Sequence, residues 1–270
     1  MRPLAPASET AGKIGPVLAP PRRRVVAAAL SSAAAASLAL GCLDWDVGPF
    51  APTGGADAGT DADAAPIDEG LVAHWTFDDG GGKVARDVSG GDHDGVLVGD
   101  VGWTAGRSGG AIAFTGAEGW VEAKALEGLA FPARGTLALW IESTFAGDFW
   151  PIFDNVSAER PHLALRNHVP GKVQFHARTA DAGVAFNGIF DVPAGAWTHL
   201  VVVWDAPARA AAAYRDGAQV FSETDLPGDW TPREQEVTFG KKPGGGLVGR
   251  IDDVRLYDRP LGAAEIARLP

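Results

Sequence analysis

The 270-residue chain carries 23 Lys and Arg against 34 Asp and Glu, a formal net charge of −11, with 36 Gly and a single Cys. That acidity argues against phosphate backbones and so against nucleic acid as a partner, leaving neutral glycans, basic proteins and divalent cations. One thiol excludes an intramolecular disulfide and a cysteine-based zinc site, and a glycine-rich, 46% hydrophobic composition fits a single all-β domain of short strands and tight turns.

In chain order, Arg22, Arg23 and Arg24 precede an uncharged apolar run from Val25 to Leu40 that closes on small residues before Cys42. This is the layout of a signal peptide over residues 1–41, and the run falls short of the roughly 18 to 20 residues a spanning helix needs. Its removal leaves 18 basic against 33 acidic residues, a net −15. Leu38-Ala39-Leu40-Gly41-Cys42 resembles the bacterial lipobox, although Ala39 stands where the box prefers Leu. The resemblance implies lipidation of Cys42 and, with Leu43 rather than Asp following, an exported protein held on the outer membrane or cell surface by its lipid alone; plain secretion is the alternative. Residues 42–69 are dominated by Ala, Asp, Gly, Thr and Pro, too polar to offset their ordering entropy, and predict a flexible acidic linker.

From Leu71 the apolar residues alternate with period two, Leu71, Ala73, Trp75 and Phe77 falling on one face. Similar runs cover residues 110–114, 120–123, 136–142, 162–166, 173–178, 199–204, 211–215, 219–223, 236–240 and 249–257. Pro170-Gly171 and Asp216-Gly217 separate such runs and predict hairpins. Only residues 261–269 show helical spacing. Many short strands with one terminal helix predict an all-β, two-sheet antiparallel sandwich with its core at Trp75, Trp140 and Trp197.

Three ordered segments carry a family resemblance. They are Gly70-Leu71-Val72-Ala73-His74-Trp75-Thr76-Phe77-Asp78 with Gly106-Arg107-Ser108-Gly109-Gly110; Thr136-Leu137-Ala138-Leu139-Trp140-Ile141 with Trp197-Thr198-His199-Leu200-Val201-Val202-Val203-Trp204; and Gly249-Arg250-Ile251-Asp252-Asp253-Val254-Arg255-Leu256-Tyr257. Together they resemble the laminin-G-like, concanavalin A-like lectin/glucanase domain over residues 70–270. The resemblance implies a jelly-roll sandwich whose first and last strands are adjacent. Gly262 stands where that family usually caps its final helix with Ser, so a weak helix start is expected.

Alternation sets Asp252 on one face with Val254 and Leu256, where a carboxylate is costly unless paired or metal-bound. By resemblance to related glucanases Asp252 is a ligand of a structural calcium, with Asp78 close if the termini pair; a salt bridge to Arg250 is the alternative. Related glycosidases carry Glu-x-Asp-x-Glu on one strand, and Glu234-Gln235-Glu236 is not that motif, so an enzyme is not expected. A non-catalytic module binding a glycan or an envelope or extracellular protein is expected instead, with a glycoside hydrolase of the same fold as the last alternative. Trp150 and Trp230 are candidate sugar-stacking rings or lids over the core, and Gln174, His176 and Arg178, projecting together, line either a binding surface or the wet side of a sheet.

Overall fold

The computed structural model describes residues 66–123, 133–145, 149–156, 162–181, 183–231, 236–242 and 245–270. Its strands are β1 (Leu71–Trp75), β2 (Val84–Ala85), β3 (Gly95–Ala105), β4 (Gly110–Ala123), β5 (Arg134–Ser143), β6 (Pro151–Val156), β7 (His162–Val169), β8 (Lys172–Arg178), β9 (Val184–Asp191), β10 (Thr198–Asp205), β11 (Ala210–Arg215), β12 (Ala218–Glu223), β13 (Glu236–Phe239), β14 (Lys241–Lys242), β15 (Gly245–Gly246) and β16 (Val248–Tyr257), followed by one helical turn, α1 (Ala263–Ile266). The first and last strands pair, as expected, with His74 opposite Arg255 and Trp75 opposite Val254.

Hydrogen bonding is continuous in the order β12-β11-β10-β5-β16-β4-β13-β6-β7-β8-β9. The two expected layers are therefore one antiparallel sheet folded over on itself. The fold runs through β4 and β16, which are long enough to serve both layers: one half of β4 pairs with β16, Ile112 opposite Ile251, and its end pairs with β13, Val121 opposite Phe239. Where the ends of the sheet meet, the rings of Phe186 on β9 and Phe221 on β12 stack with centroids 6.0 Å apart. Gly188 permits that approach, because a Cβ there would lie 2.6 Å from the Phe221 ring.

Between the layers lie Trp75, Phe77, Phe153, Phe175, Trp204 and Phe239, all essentially without exposure, with Trp75 edge-on to Phe239 at 5.6 Å. Burial of each such side chain contributes roughly 1.5–3 kcal/mol. Trp140 and Trp197 are not in this core. Both are half-buried on the outside, Trp140 between the ring of His199 (5.0 Å) and the guanidinium of Arg107 (5.0 Å), Trp197 beneath Arg250 (5.0 Å). Both hairpins form: Gly171 (φ 77°) turns β7 into β8, and Asp216 (φ 50°) with Gly217 (φ 78°) turns β11 into β12.

The outer face of the β5-β10-β11 layer is apolar. Ala138, Val201, Val203, Ala212, Tyr214 and Tyr257 form a second buried cluster, sealed by Leu261, Ile266 and Leu269 from the C-terminal segment. Despite Gly262, α1 is pinned: the Glu265 carboxylate accepts the Gly262 N–H (2.8 Å) and is gripped by both terminal nitrogens of Arg259 (3.1 and 2.7 Å).

Candidate functional site

The opposite outer face is polar. On β8, Val173, Phe175 and Ala177 enter the core, so Gln174, His176 and Arg178 project outward together. Strand register extends this face sideways, because directly opposed residues lie on the same side of a sheet. Glu122 of β4 opposes Thr238 of β13, which opposes Asp154 of β6, then Ala164 of β7, His176 of β8 and Asn187 of β9. At about 4.8 Å per strand the row is about 24 Å long. Only Ala164 interrupts its polarity. Ala164 stands opposite Asp154 and His176 and is itself only 3% exposed.

Gln174 and His176 do not stand on a wet surface; each is only 4% exposed. Arg166 Nε donates to Gln174 Oε1 (2.6 Å), and Gln174 Nε2 donates to Asn187 Oδ1, a chain that fixes three side chains across three strands. Burial, reinforced by the charges of Arg166, His162 and Arg178, pushes the His176 imidazole down to about pKa 3, so it is neutral at physiological pH. Burial also lowers the Arg166 guanidinium, while the Asp154 carboxylate opposes that shift. Three polar atoms of this face, Thr238 Oγ1, His168 Nδ1 and His176 Nε2, are buried without a hydrogen-bond partner. Such atoms are rare in folded proteins and call for a water or a ligand.

Of the two alternatives for the tryptophans, the lid holds for Trp230 and the sugar-stacking role is lost there. Trp230 is 1% exposed and packs edge-on to Phe186 at 5.4 Å, a lid on the core that no sugar can reach. The backbone of the Gly228-Asp229 segment draws it in, since Ala180 N–H donates to the Asp229 carbonyl (2.9 Å). Trp150 is half-buried at the start of β6, where its N–H is held by the Asn167 side chain. Its neighbour Phe149 lies at the polar face: 41% exposed, under Arg166 (4.8 Å) and edge-on to His168 (5.1 Å). At the other end of the row Trp120 is half-buried and its indole N–H donates to Glu122 (3.1 Å). Asp154, Arg166, Asn187 and these two rings are not among the candidates above, although the i, i+2 series His162, Ala164, Arg166, His168 beside the β8 series is a signal for this face.

Asp252 is also on a different side from that expected. Asp253 adopts φ 44° and the β5–β16 register slips between Asp252 and Arg255, a bulge that breaks the alternation. Ile251, Val254 and Leu256 face the core while Asp252 opposes Trp140 on the outside, covered by the 106–110 turn. Its Oδ2 accepts the N–H groups of Arg107 (2.7 Å) and Ser108 (3.0 Å), its Oδ1 is buried without a partner, and burial raises its pKa. Asp78 reaches the other end of the same turn, its Oδ1 accepting the Gly110 N–H at 2.6 Å. Among the described residues no three His, Cys, Asp or Glu side chains converge, so an ion here would depend on backbone oxygens. Asp252 fits the role of one calcium ligand, with one free oxygen and the other fixed by amides. Cys42 lies outside the described residues.

The fold has known relatives. A family model described as the concanavalin A-like lectin/glucanases superfamily matches residues 115–267. No curated protein sequence matches the chain significantly. Among solved structures, domain 4 of the extracellular arabinanase AbnA from Geobacillus stearothermophilus, in complex with arabinotriose, aligns at TM-score 0.60 and 20% identity over 73% of this chain and 96% of that one. The binding domain of Paraclostridial Mosquitocidal Protein 1 aligns at TM-score 0.62 and 16% identity over 75% and 52% of the two chains. A botulinum neurotoxin type C structure, described as showing cell entry dependent on two ganglioside molecules, aligns at TM-score 0.60 and 13% identity over 74% and 50%. The chain thus spans about half the length of these two toxin chains, and at such identities the likeness is one of fold.

Proposed function

Because the chain belongs to the concanavalin A-like lectin/glucanase superfamily, we propose that it is a non-catalytic binding module that takes a carbohydrate along the polar row from Glu122 to Asn187. The observation that carries this reading is the set of three buried, partnerless polar atoms on one outer face, at Thr238, His168 and His176. Sugar hydroxyls both donate and accept, and so suit such a group where its side chain reaches the surface, as at half-buried His168. Asp154 and Asn187 supply an acceptor and an amide at fixed spacing, and Phe149 and Trp120 supply apolar surface at the margins. The arabinotriose and ganglioside named for the two structural neighbours fit the same ligand class. Glu122, two strands from Asp154 on the same face, accepts the Trp120 indole N–H, a contact that suits a fixed binding group.

Glycan-array binding of the wild type, repeated with Asp154→Ala and Asn187→Ala, tests the reading. Each variant is expected to lose about tenfold or more in affinity, the effect of about 1.4 kcal/mol. A blank array together with capture of a defined envelope protein would move the function to the second reading, protein interaction. One observation favours that second reading: among the described residues β9 is paired as a strand only with β8, and it exposes Val184 and Ile189.

A structural calcium at Asp252, with oxygens from Asp78 and the 106–110 turn, would neutralise a desolvated carboxylate; chelator is then expected to lower the melting temperature of the wild type, and an unchanged value contradicts the ion. Display from the envelope through a lipid on Cys42 is supported by the apolar run and the box around that residue. Cys42→Ala is expected to release the protein from the membrane fraction, and continued membrane retention contradicts the anchor.

A further inference from the structure

The charge on the polar face is not mixed at random. Its carboxylates, Glu122 and Asp154, lie on β4 and β6, and its cations, Arg166 and Arg178, with the imidazoles of His162, His168 and His176, lie on or beside β7 and β8. The ring of His162 stands perpendicular to that of His176 at 5.3 Å, and Arg178 opposes His162 directly. Arg166 is partly balanced by Asp154 and bonded to Gln174. Among the described residues no carboxylate pairs with Arg178. Arg178, without a carboxylate partner among the described residues, thus stands on the same face as a 96% buried His176 whose Nε2 has no partner. Clustering like charges costs stability unless an anion offsets it, and guanidinium geometry suits a bidentate oxyanion.

We propose that the glycan taken by this face carries a fixed anion, a carboxylate or sulfate on a pyranose ring, that docks between Arg178, His162 and His176 while neighbouring hydroxyls bond Asp154 and Asn187. This rests on the glycan-binding reading above and names its ligand class. The negative protein surface elsewhere would repel such a ligand, so recognition is local to the β7-β8 end of the row. His176 contributes as a neutral hydrogen-bonding group and Arg178 as the charge. Carboxylate and sulfate sugars share this chemistry and are separated by the probes.

The test uses the full folded chain and three hexasaccharides measured by calorimetry: oligogalacturonate, its fully methyl-esterified counterpart, and a sulfated heparin fragment, alongside an array of neutral and acidic glycans. The wild type is expected to prefer galacturonate or the heparin fragment over the methyl ester by at least about tenfold, a preference that weakens with salt. Arg178→Gln is expected to bring the ratio close to one without weakening the methyl ester, whereas Asp154→Ala weakens charged and neutral probes alike. Arg178→Lys keeps the charge and is expected to restore part of the preference, which separates a lost contact from a damaged strand. Array hits confined to neutral glycans would overturn the anion preference and leave glycan binding standing. A blank array would overturn both.

Discussion

The two outer faces of this folded sheet are built on the same strand geometry and finished in opposite ways. On β10 the outward residues are Val201 and Val203, and the chain covers them with its own Leu261, Ile266 and Leu269. On β8 the outward residues are Gln174, His176 and Arg178, and beside them the chain leaves Thr238 Oγ1, His168 Nδ1 and His176 Nε2 without partners. An apolar face that is sealed raises stability. A polar face that is buried yet unsatisfied lowers it, because each orphaned group costs on the order of 1–3 kcal/mol. The cost fits the binding surface proposed above, while the sealed face carries its own orphan at the Tyr257 hydroxyl.

Substitutions can break this contrast one side at a time. The largest effect is expected at the seal: Leu261→Ala or Ile266→Ala removes a buried side chain over Tyr257 and Val203 and should cost about 2–5 kcal/mol in chemical denaturation, with glycan affinity of the folded fraction unchanged. Next comes Gly188→Ala, whose Cβ would meet the Phe221 ring at 2.6 Å and push apart the two ends of the sheet, for about 1–3 kcal/mol.

Acid sharpens the comparison. His176 titrates near 6.5 when unfolded but near 3 when folded, so its neutral form favours the native state. Its contribution is complete above pH 6.5 and is lost progressively as pH falls toward 3. His176→Gln should flatten that part of the stability profile, measured by denaturation at stepped pH. His199, lowered by burial on the opposite side, acts with the same sign, so its Gln variant is the matched control. The smallest effect belongs to exposed Ile189, where Ile189→Ser should change stability by no more than about 0.5 kcal/mol.

Much of this architecture was legible in the chain. The runs at β5, β8, β10 and β16 alternate cleanly, and Asp216-Gly217 turned where its φ preference says it must. What escaped notice did so for identifiable reasons. β3 contains Gly99, Asp100 and Gly102, and β9 contains Asn187 and Gly188; these residues read as turns, yet they are held in strands by a bulge and by the packing of Phe221. A single bulge at Asp253 reversed the side on which Asp252 was expected. Local alternation placed Gln174, His176 and Arg178 together, but Asp154 and Asn187 join them only through cross-strand register, which no window of sequence contains. Trp230 and Phe149 illustrate the same limit, since ring type does not say which aromatic closes the core and which faces outward.

The most direct measurement is a map of backbone amide shifts by NMR while the best-binding glycan from the array is titrated in. The perturbed amides are expected to cluster at Asp154, Ala164, Arg166, His176 and Asn187, with α1 and Tyr257 silent. Perturbation centred on the Tyr257 and Ile266 face, with the row from Glu122 to Asn187 unmoved, would contradict this.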